Sequence, residues 1–341
     1  MKSERIGELA KCLKKRRIDI ALVRSEANLK ALAGIDCDNG LLTVASSGEV
    51  RFYTDFRYIP AVKRTAPWLK VADLKKFKAP KVGRVGYEST ISAARYLAMA
   101  KNFKGAKMVD VTADINAIRS VKTVEELDKL RAAEALNDKI WAKAQKTFKP
   151  GMTEKEMART IQHLMIDMGD GEAFATIVCV GKNAAECHHI PDDTVWDGKE
   201  PVLVDMGVKL NGYCSDMTRN IVPREATKEY RKIYDLVLEA NMLGIKNAKS
   251  GITSGKLDAI VRKFLASKGY KKEFGHSLGH GVGVEIHEAP AAAKKQKTVL
   301  KPGMSVTIEP GIYIEGKLGV RIEDLVLITK DGCEVISHSA K

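Results

Sequence analysis

The stretch FGHSLGHGVGVEIHEAP, residues 274–290, carries three of the chain's seven histidines: His276, His280 and His287. His276 and His280 are four apart, the spacing that places two imidazoles on one face of a helix. A zinc-protease helix would also need a glutamate directly after the first histidine, and Ser277 stands there. Glycines at 275, 279, 281 and 283 disfavour a helix interior. They do not make a phosphate loop either, because the strand–turn–helix setting is missing, so close backbone packing accounts for them better. Four acids complete the set. VLVDMGVKLNGYCSDMTR, 202–219, reads as an apolar strand into Asp205, a hairpin turn at Asn211-Gly212, and a return strand carrying Asp216. SVTIEPGIYIEGKLGVRIEDLVLI, 305–328, repeats that plan with Glu309, a turn around Glu315-Gly316, and Glu323.

An acid inside an apolar strand is costly to bury unless it is paired or binds a metal. Four acids placed equivalently in two hairpins, with a histidine from 274–290, form a donor set suited to divalent Mn, Co, Fe or Zn. Four carboxylates balance two divalent cations, and bridging would hold those cations about 3.5–4 Å apart, as in two-metal hydrolases. A hydroxide between the ions would then be the nucleophile. The alternative is purely structural: the acids pair with Arg219, Arg321 and lysines.

These hairpins need a frame. KPGMTEKEMARTIQHLMIDMG, 149–169, aligns with KSGITSGKLDAIVRKFLASKG, 249–269, each reading as a capped amphipathic helix ended by glycine. The duplication predicts two α/β halves related by a pseudo-two-fold axis, with a site where they meet. Before them, the strand DIALVR (19–24), the hairpin of 40–55 turning at Ser-Gly, a helix from about Phe56 and the strand RVGYE (84–88) predict an α/β domain with a mixed sheet. Thr123 and Glu126 form a capping box ahead of a long helix. The boundary is placed at 116, giving domains 1–116 and 117–341.

Two domains suit 341 residues, and 45% apolar content suits a sizeable core. No apolar run approaches the roughly 20 residues of a membrane span, and charges break the opening MKSERIGELAKCLKKRRIDIALV, so no signal peptide is expected. Six scattered cysteines without a CxxC pair point to reduced thiols and a cytoplasmic location. Net charge is +14, but residues 1–116 hold 23 Lys/Arg against 12 Asp/Glu, and the remainder is nearly balanced. The run KCLKKRR (11–17) shares an amphipathic helix with Ile6, Leu9, Ala10 and Leu13, which makes it a solvated face. It lacks the aromatic interleaving of a nucleic-acid motif, and neither nucleic acid nor membrane is expected as a partner.

LVDMGVKLNGYCSDMTR, GHSLGHGVGVEIHE, TIEPGIYI and VRIEDLVLI resemble the pita-bread metallopeptidases, which include methionine aminopeptidase, aminopeptidase P and prolidase. The resemblance implies a C-terminal pita-bread domain of two pseudo-symmetric halves. It implies five metal ligands: Asp205, Asp216, His280, Glu309 and Glu323. Asp216 and Glu323 would bridge, Asp205 would chelate one ion, and His280 with Glu309 would complete the other. Thr218 would orient Asp216. His287 would meet the scissile carbonyl, His188 in GKNAAECHHIP (181–191) would join the catalytic set, His276 would line the substrate pocket, and Arg321 would support the site by ion pairing. His163 and His338 are expected at the surface, and His189 has no firm role.

ALAGIDCDNGLLTVASSGEVRFYTDFRY, 31–58, with its Thr54-Asp55-Phe56-Arg57-Tyr58 element, and IRSVKTVEELDKLRAAEALND, 118–138, resemble the creatinase-like N-terminal domain and linker helix of prolidases and aminopeptidases P. Creatinase itself shares the plan but lacks the ligands that this chain has. The resemblance implies hydrolysis of Xaa-Pro dipeptides, with short Xaa-Pro peptides as the aminopeptidase alternative. It also implies an N-terminal domain that supports a homodimer and restricts substrate length. Two divalent ions, Mn or Co, with Fe or Zn as alternatives, are the expected cofactors, and Glu309 is the expected proton carrier. Methionine aminopeptidase and a non-enzymatic pita-bread binding protein are the remaining readings.

Overall fold

A computed structural model describes residues 4–341, so Met1–Ser3 of the opening segment lie outside the described residues. The chain divides into two compact units, Met1–Arg119 and Ser120–Lys341.

The first unit is built on a six-stranded mixed sheet. Its order is Val71–Asp73, Val50–Thr54, Leu41–Ala45, Ile20–Val23, Arg84–Tyr87, Lys107–Asp110. The Ile20–Val23, Leu41–Ala45 and Val50–Thr54 strands pair antiparallel, and the outer pairings are parallel. Helix Glu4–Lys15 buries Ile6, Leu9, Ala10 and Leu13 against this sheet, leaving Lys11, Lys14 and Lys15 exposed. The helix expected from Phe56 begins instead at Ile59. The Asp55 carboxylate captures the Arg57 amide and guanidinium, and such a local side-chain turn competes with helix nucleation. Phe56 is left outward and exposed.

The second unit repeats one order of elements. In the first half, helices Val124–Thr147 and Glu154–Met168 precede the antiparallel strands Ile177–Val180, Val202–Met206 and Met217–Ile221. In the second half, helices Lys228–Asn247 and Ser254–Ser267 precede strands Ser305–Ile308, Asp324–Ile328 and Cys333–Val335. Thr123 and Glu126 form the expected capping box, and Thr153 and Thr253 each cap a repeated helix. The terminal glycines differ in purpose. Gly269 adopts the left-handed conformation (φ 96°) that closes a helix. Gly169 is extended and is required for space, since a Cβ there would lie 2.7 Å from the Val208 side chain and 2.9 Å from the Lys209 carbonyl.

The six cysteines are all free thiols. Among the described residues, no helix is long and apolar enough to cross a membrane.

Candidate metal centre

The hairpin at 202–219 forms because Asn211 and Gly212 both take positive φ, 52° and 75°, the turn that matches strand twist. The expected strands are interrupted at the acids. Asp216 falls between Tyr213–Cys214 and Met217–Ile221, Glu309 just after Ser305–Ile308, and Glu323 just before Asp324–Ile328. Only Asp205 sits within a strand. Ser215 accounts for the first interruption. Its hydroxyl accepts from the Val208 amide at 2.8 Å in place of a ladder bond, and donates at 3.0 Å to the Val208 carbonyl, which also receives the Ser215 amide. Such a local irregularity re-aims the next side chain. Ser215→Ala leaves the Val208 amide without this acceptor. It should lower stability by about 1–3 kcal/mol in urea unfolding, and an unchanged midpoint would remove Ser215 from this role.

Asp205, Asp216, His280, Glu309 and Glu323 all line one cavity of about 490 Å³. His188, His276, His287 and Arg321 line it too, together with apolar Phe174, Ile177, Ile190 and Ile286. His280 Nε2 lies 3.5 Å from Asp216 and 3.4 Å from Glu309. Asp216, His280 and Glu323 each offer a ligand atom within 4.8 Å of the others. The His280 and His287 rings meet edge to face with centroids 4.3 Å apart. Two glycines of 274–290 let main chains touch, Gly279 against the Thr307 carbonyl and Gly281 against the Ala289 carbonyl, while Gly283 leaves room for the Glu288 carboxylate.

Arg321 spans the site. Its guanidinium pairs with Asp205 at 2.8 Å and donates to the Tyr313 hydroxyl at 2.9 Å and the Thr218 hydroxyl at 3.0 Å. The Tyr313 hydroxyl also meets His276 Nε2 at 2.9 Å. Thr218 corrects one expectation: its hydroxyl donates to Glu323 at 2.7 Å, not to Asp216. The reason is pairing, because the Glu323 amide bonds the Thr218 carbonyl and brings the side chains together. Arg219 likewise avoids the site acids and pairs with Asp324. One arginine therefore faces four clustered carboxylates, which is too little positive charge for the ion-pairing alternative.

The electrostatics reflect that deficit. Burial, then the negative neighbours Glu323, Asp205 and Glu309, holds the Asp216 carboxyl well above its usual range. Burial with Glu309 and Asp205 does the same to Glu323. Glu309 is pushed up to about 8, by burial first, with Arg321 opposing and Asp205 adding. Burial and the neighbouring His287 push His280 down to about 4. Burial and Arg321 bring His276 to about 4 as well. Both imidazoles are therefore neutral near pH 7, the form a metal requires.

His163 and His338 are exposed. His189 is buried, with Nε2 2.7 Å from Glu154. Glu154 also receives the Val180 and Asp192 amides, fixing the loop that carries His188. Sequence reasoning missed Glu134, fully buried and accepting the Asp216 amide at 3.0 Å. It also missed two asparagines at corresponding places in the halves. Asn137 donates to the Met206 carbonyl beside Asp205, and Asn241 to the Ile308 carbonyl beside Glu309. A signal existed: Glu134 and Asn137 interrupt the buried helical stripe of Leu130, Ala133, Ile140 and Trp141, where a polar residue must have a partner.

Comparison with known proteins adds two domain matches. Residues 128–330 match the model described as metallopeptidase family M24, and residues 5–121 match the creatinase/prolidase N-terminal domain. The chain is 34% identical to an Xaa-Pro dipeptidase of Pyrococcus furiosus over 99% of both chains. It superimposes on a prolidase from Pyrococcus horikoshii with a TM-score of 0.94 at 31% identity, covering 99% of each. An X-Pro aminopeptidase from Thermotoga maritima superimposes with a TM-score of 0.88 at 29% identity, covering 98% of each.

Proposed function

The chain belongs to metallopeptidase family M24, and from that premise we propose that it hydrolyses the Xaa-Pro bond at a free N-terminus, with Xaa-Pro dipeptides as its preferred substrates. A creatinase-like N-terminal domain precedes a pita-bread domain. The observation that carries the reading is the presence of Asp205, Asp216, His280, Glu309 and Glu323 around one cavity. Support for the substrate comes from the full-length likeness to the Pyrococcus dipeptidase.

The residues fit a divalent metal, the cofactor class of the family. Oδ1 of Asp205 is buried without a hydrogen-bond partner, and an orphaned buried oxygen of this kind suits a cation. We assign the site to two ions, Mn²⁺ or Co²⁺ first and Fe²⁺ or Zn²⁺ as alternatives. Asp216 and Glu323 would be shared, Asp205 would hold one ion, and His280 with Glu309 the other. When bound, such ions polarise a carbonyl and lower the pKa of water.

The chain's own residues do the rest. An Xaa-Pro bond is a tertiary amide without an N–H, so its nitrogen must receive a proton to leave. Glu309 carries that proton: its carboxyl faces the cavity, and Oε1 accepts from the Thr307 hydroxyl at 3.2 Å. His287 donates toward the oxyanion that develops on the scissile carbonyl, and His188 faces the same cavity. Neutral His276, fixed by Tyr313, lines the pocket, and Arg321 holds Asp205 in place. To the N-terminal unit we assign the pairing of two copies and the restriction of substrate length, and to the protein a cytoplasmic location.

The test is a substrate panel in Mn²⁺ or Co²⁺: Ala-Pro, Ala-Pro-Ala and Met-Ala-Ser. Cleavage of Ala-Pro alone is expected. Strong cleavage of Ala-Pro-Ala would assign an Xaa-Pro aminopeptidase, and cleavage of Met-Ala-Ser alone a methionine aminopeptidase. No cleavage and no bound metal would overturn the reading and leave a binding protein.

A further inference from the structure

Residues 337–341 are stitched to the back of the carboxylate cluster by polar contacts that packing alone does not require. The Ser337 hydroxyl accepts from the Leu325 amide at 2.8 Å and donates to Glu134 Oε1 at 2.8 Å. The other oxygen of Glu134 receives the Asp216 amide at 3.0 Å. Ser337 and Glu134 are both buried, Glu134 completely. One hydroxyl therefore sets the orientation of the carboxylate that holds the backbone of Asp216.

A second branch ends on Glu323. Lys341 Nζ pairs with Asp324 at 2.6 Å, and the opposite oxygen of Asp324 pairs with Arg219 at 2.8 Å. Every nitrogen of the Arg219 fork is engaged. Nη1 donates to the carbonyls of Thr218 and Glu323, at 2.9 and 2.5 Å, and Nε donates to the Ser339 carbonyl at 3.0 Å. A planar guanidinium bound on every side transmits position more strictly than a single charge does. Lys341 Nζ also donates to Asn241 Oδ1 at 2.9 Å, and Asn241 donates in turn to the Ile308 carbonyl, one residue before Glu309. The backbone of the strap is anchored separately, since the His338 and Ser339 amides both bond Asp138.

We propose that residues 337–341 form a positioning strap for the metal-binding carboxylates, with Ser337 acting through Glu134 on Asp216 and Lys341 acting through Asp324, Arg219 and Asn241 on Glu323 and Glu309. The inference rests on the metal-centre reading above. None of its residues lines the cavity that the carboxylates face. They fix the directions from which the carboxylates point, the kind of support whose loss typically weakens metal affinity 10–100-fold.

The experiment strips the full-length protein of metal and titrates Mn²⁺ calorimetrically into wild type, Ser337→Ala, Lys341→Met and Lys341→Arg. Co²⁺ absorption spectra and melting of the metal-free forms are recorded in parallel. Ser337→Ala and Lys341→Met should each weaken Mn²⁺ binding roughly 10-fold and alter the Co²⁺ spectrum. Lys341→Arg, which keeps the pair with Asp324, should restore both. A lower melting temperature with wild-type affinity and spectrum would make the strap merely structural and overturn the proposal. Lys341 is partly exposed, so Lys341→Met keeps the test intact if Ser337→Ala does not fold. Wild-type protein that binds no Mn²⁺ or Co²⁺ would overturn the metal centre itself and the strap with it, whereas normal wild-type binding with unaffected variants overturns the strap alone.

Discussion

Stripped of divalent cations, the protein should lose stability as pH rises from about 6.5 to 8, and restored Mn²⁺ should reverse the part of that loss owed to the ligand carboxyls. A buried carboxyl whose pKa is raised by folding still holds a proton that the unfolded chain, titrating near 4.3 for Glu, has already released. Between the two values the native state binds more protons, so raising the pH favours unfolding. Glu309 and Glu134 are both pushed up to about 8, chiefly by burial, and Asp216 and Glu323 are shifted in the same direction. His276 and His280, brought down to about 4, have the opposite effect, but only up to their unfolded value near 6.5. Carboxyls held low by local hydrogen bonds, such as Asp55 and Asp192, have finished titrating by then. In the window from 6.5 to 8 the raised acids therefore contribute most of the change. At about 1.4 kcal/mol per pH unit for each proton, the linkage is on the order of 2–4 kcal/mol. With about 2–4 °C per kcal/mol for a unit of this size, the melting temperature should drop roughly 4–16 °C. Glu134, which is not among the assigned ligands, and His189, which burial lowers but Glu154 raises on balance, contribute shares with the same sign that metal does not reverse. Melting curves in EDTA that stay flat or climb across this window would contradict the charge deficit described for the centre.

Glu309→Gln should lower kcat by roughly 10²–10⁴-fold, the usual contribution of a positioned proton carrier, with a much smaller change in KM. Glutamine matches glutamate in size and keeps an oxygen for the Thr307 hydroxyl, but it cannot carry the proton to the leaving proline nitrogen. Because Glu309 also lies 3.4 Å from His280 and is assigned as a ligand, rates must be normalised to bound metal measured on the same sample. A variant holding both ions and turning over near the wild-type rate would move the proton transfer to another residue. A variant that loses metal in proportion to rate would leave Glu309 a ligand and nothing more.

Much of the site was legible in the sequence because it is written in local patterns. Asn211-Gly212 announces its turn, and acids after VLV and VTI stand out from their apolar neighbours. The repeat between 149–169 and 249–269 already implies two halves. What the sequence hid are the partners across the fold. The resemblance suggested that Thr218 orients Asp216, two residues away, whereas strand pairing delivers Thr218 to Glu323. The breaks at Asp216, Glu309 and Glu323 were hidden too, since strand pattern alone does not reveal where a hydroxyl such as that of Ser215 takes over a ladder bond. Ser337 and Lys341 look like ordinary polar residues in SHSAK. Their roles exist only through contacts with Glu134 and Asp324, far away in the chain.

That separation also bears on the order in which the molecule assembles. Arg321 meets Thr218 and Asp205 across 103 and 116 residues of chain, and Thr218 meets Glu323 across 105. Contacts at such range form only after the entropy of closing long loops has been overcome. In small zinc domains the ion comes first and organises the chain around itself. On the proposed ligand assignment, the two halves must close before a cation would meet its full set of donors, so metal uptake would mark the completion of folding in a newly made chain.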